Sequence, residues 1–233
     1  MKQLLWVCFA LITLSSCQFT TGSGNIVNEN RSVGNFSAIS VGGSIDVEVQ
    51  IGPVTAVRVE ADDNIVRYIN TSVSGNTLQI KTESNHGFTN VHMKVYVTTP
   101  ELNKIKASAS SDVVVMDIIK SAGKLSFHAS SSASIRAEVD APEIESDASS
   151  SATITLSGRT KDHDAQASSS SEINAFELKS ENTVARASSS GDIQVHASVN
   201  LDARASSSAD IEYIGAAKVN STTSSSGSVS KKD

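Results

Sequence analysis

From residue 107 onward, apolar and polar positions alternate in short runs, and each run stops at a cluster of small residues. Ahead of the clusters the alternating positions read Leu125/Phe127/Ala129, Ile144/Ser146/Ala148, Ala165/Ala167, Ala185/Ala187, Leu201/Ala203/Ala205 and Val219/Ser221/Thr223. The residues between them include His128, Asp147, Gln166, Arg186, Arg204 and Thr222. A period of two predicts strands with the first set inward and the second outward. Behind the clusters a second inward column begins: Val113, Ile135, Ile154, Ile173, Ile193, Ile211 and Val229, with Val115, Ala137, Leu156, Ala175, Val195 and Tyr213 two residues further on.

The clusters recur in register. They begin at Ala107, Ala129, Ala148, Ala167, Ala187, Ala205 and Thr223, so the repeat is 18 to 22 residues long. Typical units are Ala129-Ser-Ser-Ser-Ala-Ser-Ile135 and Ala187-Ser-Ser-Ser-Gly-Asp-Ile193. A two-strand unit of this length is one coil of a β-solenoid, in which neighbouring coils share a core that none could sustain alone. A serine triplet between strands predicts a corner, with its hydroxyls bonded to backbone of the next coil. Residues 31–106 have a different texture. Runs such as Val41 to Val49, Ala56 to Ala61, Leu78 to Lys81 and Val91 to Val97 alternate without the serine punctuation. The expected organisation is therefore a β-rich N-terminal region over 31–106 and regular Ser/Ala-rich coils over 107–233. Lys231, Lys232 and Asp233 are expected to act as a charged cap for the last coil.

The N-terminus changes the picture from fold to compartment. Lys2 precedes an apolar stretch, Leu4 to Leu14, that has the length of a signal-peptide core and is short for a membrane span. Leu14-Ser15-Ser16-Cys17 follows and resembles a bacterial lipobox. Residues 1–16 are read as a lipoprotein signal peptide, Cys17 as the lipidated residue with palmitate-type acyl chains, and 17–30 as lipidated cysteine and flexible tether. Lipid chains on Cys17 would hold the protein to a membrane, because each buried CH₂ adds roughly 0.8 kcal/mol. Gln18 after the cysteine favours the outer membrane, on either face. Cys8 lies in the segment to be removed, so the mature domain keeps no disulfide and no free thiol.

The whole chain carries a net charge of −6, and loss of Lys2 leaves the mature domain more negative still. That acidity excludes nucleic acid as a natural partner. Trp6, the single tryptophan, lies ahead of Cys17. Candidate chemistry is sparse. Lys161-Asp162-His163-Asp164 is the tightest group of possible metal ligands and is read as a solvated connection between coils, since one His between two Asp lacks the spacing of a closed site. Asp112, Glu172, Asp192 and Asp210 share one corner position and could stack as an acidic ladder, read as turn-capping rather than as a calcium site. Ser121-Ala-Gly-Lys124 matches a Ser-x-x-Lys pattern without companion motifs, and His86, His92, His128 and His196 are scattered. No nucleophile stands with a base and an orienter, so no catalytic residue, metal site or cofactor is expected.

The order of pieces resembles the head-GIN-domain family of bacterial envelope proteins, described as auto-transporter adhesins. The matching pieces are Val33-Gly-Asn-Phe-Ser-Ala-Ile39, Ile45-Asp-Val47, Val59-Glu-Ala-Asp-Asp-Asn64, Leu78-Gln-Ile80, Val95-Tyr-Val97, Thr99-Pro-Glu-Leu102 and the Ser-rich corners. The resemblance spans about residue 31 to the C-terminus. It implies a right-handed parallel β-helix and a non-enzymatic envelope protein that binds an envelope protein or a glycan. The family's corners read Ser-Gly-Ser-Gly-Asp more often, whereas Ala and Ser largely replace glycine here. Two alternatives stay open: a polysaccharide-binding or polysaccharide-processing β-helix, which should show aromatic platforms and a cluster of carboxylates or basic residues in a groove, and a purely structural periplasmic lipoprotein.

Overall fold

The computed structural model describes residues 18–84 and 86–232. Cys17 and the signal-peptide reading lie outside the described residues. The N-terminal region supplies β1 (Gln18–Thr21), β2 (Ile26–Arg31), β3 (Ala38–Val41), β4 (Asp46–Ile51), β5 (Ala56–Asp62), a 3₁₀ turn (Val66–Tyr68), β6 (Ile69–Ser74), β7 (Thr77–Thr82), β8 (His86–Thr89) and β9 (Met93–Thr99). The coils follow as β10 (Lys104–Ala107), β11 (Asp112–Lys120), β12 (Lys124–Ala129), β13 (Ser134–Ser149), β14 (Thr153–Ser168), β15 (Glu172–Ala175) and β16 (Leu178–Ser188). They end with β17 (Asp192–His196), β18 (Asn200–Ser206), β19 (Asp210–Ile214), β20 (Lys218–Ser224) and β21 (Ser228–Lys231).

The molecule is a parallel β-helix. One face stacks β3, β10, β12, the second half of β13, the second half of β14, β16, β18 and β20 in parallel register. The other face stacks β4, β11, the first halves of β13 and β14, then β15, β17, β19 and β21. The inward columns run as the alternation predicts. Val113, Ile135, Ile154, Ile173, Ile193 and Ile211 are all buried in successive coils, and so are Ala107, Ala129, Ala148, Ala167, Ala187 and Ala205. A buried Ile contributes roughly 1.5–3 kcal/mol, so the aliphatic ladder rather than any single coil holds the stack together.

The N-terminal region is not simply an earlier run of coils. The β3–β4 coil lies between the β10–β11 coil and a later segment, because β7 pairs with β3 and β9 with β4 on the side away from β10 and β11. Antiparallel strands then close that end: β6 on β7, and β5 on β9 with β2 on β5. The parallel edge that a bare solenoid would expose is thereby covered at this end.

Residues 18–30, expected as tether, are structured instead. β1 pairs in parallel with β8, and β2 pairs antiparallel with β5. The partners lie tens of residues away, so the local sequence carries little sign of the pairing. Asp62 also ties the segment down by accepting from the Gly24 and His92 amides at 2.6 and 2.7 Å. Those amides hold its carboxyl below the usual carboxylate range, the His92 amide contributing most.

The corners explain how serine replaces glycine. Each places two successive residues at positive φ: Ala109/Ser110, Ser131/Ser132, Ser150/Ser151, Ser169/Ser170, Ser189/Ser190, Ser207/Ser208 and Ser225/Ser226. Where the turn closes, the amide three residues on donates to the first carbonyl, as from Ala133 to Ser130 and from Gly191 to Ser188. This is the φ signature of a type I′ turn, normally an Asn-Gly or Gly-Gly conformation. Left-handed backbone costs an L residue roughly 1–2 kcal/mol. The offset comes from the neighbouring coil, because the second left-handed amide of each turn donates to the first left-handed carbonyl of the next. Ser110 donates to Ser131, Ser132 to Ser150, Ser151 to Ser169, Ser170 to Ser189, Ser190 to Ser207 and Ser208 to Ser225. The sheet ladder thus continues round the bend.

The expected hydroxyl ladder is corrected accordingly. Backbone amides carry the corner, and the central serines point to solvent. Hydroxyls bond across coils at Ser44, Ser108 and Ser171, which donate to the carbonyls of Ala109, Val41 and Ala148. Ser111 Oγ is buried without a partner.

Candidate binding groove

Outward side chains one position ahead of each corner form a single axial column. Lys106 pairs with His128, His128 with Asp147, Asp147 with Gln166, Gln166 with Arg186, Arg186 with Arg204, and Arg204 with Thr222. With strands about 4.8 Å apart, these six steps span roughly 29 Å. Two hollows open along the column. One of about 580 Å³ lies between Asp147, Gln166, Arg186 and Arg204 and the corner serines Ser168, Ser188, Ser206 and Ser224. The other, about 310 Å³, is bounded by Lys104, Lys106, His128, Ser130 and Ser149, and Asp147 belongs to both. Together they make a shallow groove walled on one side by hydroxyls and on the other by long polar side chains.

Ion pairs shape its charge. Arg186 Nη1 lies 2.8 Å from Asp164 Oδ1, and Arg204 Nη2 lies 3.0 Å from Asp202 Oδ2. Lys124 bridges Glu143 and Glu145 at 3.2 and 2.9 Å, and this contact holds the Glu145 carboxyl low and the Lys124 amine high. Burial, helped by Lys104, pushes the His128 imidazole at the groove's lysine end below its ordinary pKa. Asp147 is the one carboxylate lining the two hollows, and no Phe, Tyr or Trp lines either.

The sequence candidates fall elsewhere. Lys161-Asp162-His163-Asp164 is not a solvated connection. It lies within β14, where His163 continues the inward column between Ile144 and Thr183 and is 2% exposed. Alternation carried two residues back from Ala165 and Ala185 points to both His163 and Thr183. His163 Nε2 is 2.9 Å from Ser146 Oγ, and its Nδ1 has no partner. Burial lowers its pKa to about 4. Ser180 and Thr183 continue this polar strip: their hydroxyls are 2.5 Å apart and both reach the His196 carbonyl, so that one donates to the carbonyl and the other to its neighbour's oxygen.

Glu172, Asp192 and Asp210 do stack in adjacent coils. Asp112 stands apart, separated from them by Ser134 and Thr153. Desolvation first, and then Glu172, Glu212 and Asp210, push the Asp192 carboxyl up. Ser134 and Ser228 donate to Asp112 and Asp210. Among the described residues, no three His, Cys, Asp or Glu side chains converge as a metal site. Ser121 and Lys124 do not act as a pair: Ser121 Oγ accepts from the Gly123 amide, and Lys124 is held by its two glutamates. His92 contacts Glu60 at 2.9 Å, and His86 stacks on Tyr68.

A polar groove running along the stacked coils gives this parallel β-helix one continuous polar face. The chain belongs to the family described as "Putative auto-transporter adhesin, head GIN domain", which matches residues 35–217. Similar solved structures include a "putative adhesin" from Bacteroides fragilis, with TM-score 0.85 and 19% identity over 91% of this chain and 100% of that one. A "putative lipid binding protein" from Parabacteroides distasonis aligns with TM-score 0.77 and 21% identity over 93% of this chain and 100% of its own. A second P. distasonis protein, a "putative adhesin", has TM-score 0.72 and 24% identity over 92% of this chain and 100% of its own. At these identities the likeness establishes the shared fold. No curated protein matches the chain. Neither the family nor these neighbours are described as enzymes.

Proposed function

We propose that this chain is a non-enzymatic, lipid-anchored protein of the bacterial envelope that presents a rigid β-helix and holds an extended partner in its axial groove. The observation carrying this reading is the unbroken column from Lys106 to Thr222, backed coil by coil by corner hydroxyls. Every coil offers hydrogen-bonding groups at the same roughly 4.8 Å step, which suits a linear polymer better than a compact ligand. A linear glycan, or an extended segment of an envelope protein, has that shape. Many weak contacts along one strand of polymer add up because each holds the next in place. Cleavage does not belong to the reading, since glycoside hydrolysis uses two facing carboxylates and the groove offers Asp147 alone. The lipid anchor at Cys17 and the outer membrane rest on the N-terminal sequence.

The test compares the full-length protein with the triple variant Lys106→Ala, Arg186→Ala, Arg204→Ala on arrayed bacterial and host glycans and on envelope extracts. Retention by the parent and at least tenfold weaker retention by the variant, at unchanged melting temperature, supports the groove. Equal retention by both would remove the groove from the reading. Protease treatment of intact and lysed cells, followed by blotting, reports which face of the membrane carries the domain.

A further inference from the structure

The end of the solenoid nearest the expected anchor carries an aromatic flap. β1 and β8 form a separate two-stranded sheet, with Phe19 opposite Gly87. The Phe19 ring lies over the Gly87 backbone, where a Cβ would stand 2.5 Å from it, and the side chain is 67% exposed. On the opposite face of the flap His86 and Phe88 pack on Tyr68, with ring centroids 4.5 and 5.6 Å away. The guanidinium of exposed Arg67 lies 4.9 Å over the Tyr68 ring and donates to its hydroxyl at 3.0 Å. The flap's outer side thus presents an unpartnered phenylalanine, while the Tyr68–Arg67 pair packs against the flap's other face.

Position in the chain says what covers it. Gln18 alone separates Cys17 from Phe19, so the two Cα atoms cannot be more than about 7 Å apart. Gln18 is already in β1, and β1 is clamped to β8. If Cys17 carries lipid, no slack remains to lift the domain away from the bilayer. The headgroup layer is about 5–8 Å deep on each side of the hydrocarbon, so Phe19 falls within it. Phenylalanine is among the side chains that interfacial segments bury at the headgroup boundary.

We propose that the β1–β8 flap is a membrane-docking edge: Phe19 seats among the headgroups of the bilayer that holds the Cys17 lipid. The flap therefore fixes how the solenoid stands on the membrane. The inference rests on the lipid-anchor reading above.

The experiment uses the full chain, made in a lipidating host and reconstituted in phosphatidylcholine/phosphatidylglycerol vesicles. Phe19→Trp gives a mature chain with one tryptophan, since Trp6 precedes Cys17. Thr21→Trp, on the same face of β1, is the second reporter if the first perturbs the flap, and Val199→Trp in a distant coil is the control. The expected result is blue-shifted Phe19→Trp emission, quenched at least twofold by phospholipid brominated near the glycerol, with the Val199→Trp signal unchanged. Emission from both flap reporters that is open to iodide and untouched by brominated lipid overturns the docking edge. So does a blue shift without lipid quenching, which would mean that a second copy covers the flap. Mass spectrometry of the N-terminal peptide separates the two readings. An acylated peptide with water-exposed reporters rejects docking alone, and an unmodified Cys17 rejects the anchor and the docking together.

Discussion

His163 makes the fold sensitive to mild acid in a way that can be isolated. Its imidazole sits inside the solenoid, and burial lowers its pKa to about 4, against about 6.5 when free. Above pH 6.5 both folded and unfolded chains hold it neutral, and its contribution to stability is fully present. Between 6.5 and 4 the unfolded chain takes up a proton that the folded chain refuses. Each pH unit in that window lowers stability by about 1.4 kcal/mol, to a limit of about 3 kcal/mol, and below pH 4 the loss stops. Other groups titrate too. His128 moves in the same direction, and Asp46 and Asp192, whose pKa values are raised, move oppositely. The clean quantity is therefore the difference between the parent and His163→Leu. Leucine suits a column that already holds Leu125, Ile144 and Leu201. Urea unfolding at pH 7.5 and pH 5 should show the parent losing about 2 kcal/mol more than the variant. Ring-proton NMR of the folded parent should show His163 neutral down to about pH 4. Parallel pH profiles for the two proteins, or an imidazole titrating near 6.5 in the folded state, would falsify the argument.

Three further perturbations address the frame. Changing Ser131 and Ser132 to Asn and Gly supplies the residues a type I′ turn prefers and should raise stability by about 1 kcal/mol in thermal melts; a fall would show that the serines do more than turn the chain. Gly158→Ala places a Cβ 2.0 Å from the Val139 carbonyl oxygen at a φ of +109° and should cost at least about 2 kcal/mol, seen as a melting temperature several degrees lower. Phe127→Ala empties the largest fully buried side-chain position and should cost about 3–5 kcal/mol, whereas Arg186→Ala on the groove should cost under about 1 kcal/mol, so unfolding midpoints that reversed this order would contradict the burial pattern.

The coils are legible in the sequence because two signals coincide there. Alternation at Leu125/Phe127/Ala129 and at Ile135/Ala137 gives the faces, and the Ser clusters give the corners, so register follows from the repeat itself. The N-terminal region is legible only as strands. Nothing local in Thr77–Thr82 says that it will lie outside β3 rather than beyond it, since that placement comes from long-range pairing of β7 with β3 and β9 with β4. β1 escapes for the same reason, its partner being β8. His163 is easily misread because charged neighbours dominate a four-residue window, although alternation puts Asp162 and Asp164 out and His163 in. The groove is half legible: the outward residues can be named from the sequence, but their continuity with the corner hydroxyls needs the stacked register.

On the proposed reading, stability and recognition occupy opposite sides of the same strands. The inward columns and the backbone ladder carry the fold, so outward positions are free to vary in charge at little energetic consequence. Arg186 with Asp164, Arg159 with Asp140 and Lys124 with Glu143 each join adjacent coils at half-exposed sites, where such pairs contribute about 0–1 kcal/mol. Their presence is therefore a weak argument for stability. The inward strip of Ser146, His163, Ser180 and Thr183 is the exception, because apolar residues would fill those positions at lower desolvation cost. It lies beside the cleft of about 480 Å³ formed by Asp140, Arg159, Lys179, Glu181 and His196, with Ser180 reaching both. The solenoid has thus kept polar groups inside at the coils where its outer connection opens, while the inward position next to the groove column runs from Phe127 through Ser146 to Ala165, Ala185 and Ala203. A partner held as proposed would meet a groove whose lining residues stand on a backbone whose hydrogen bonds and core do not depend on them.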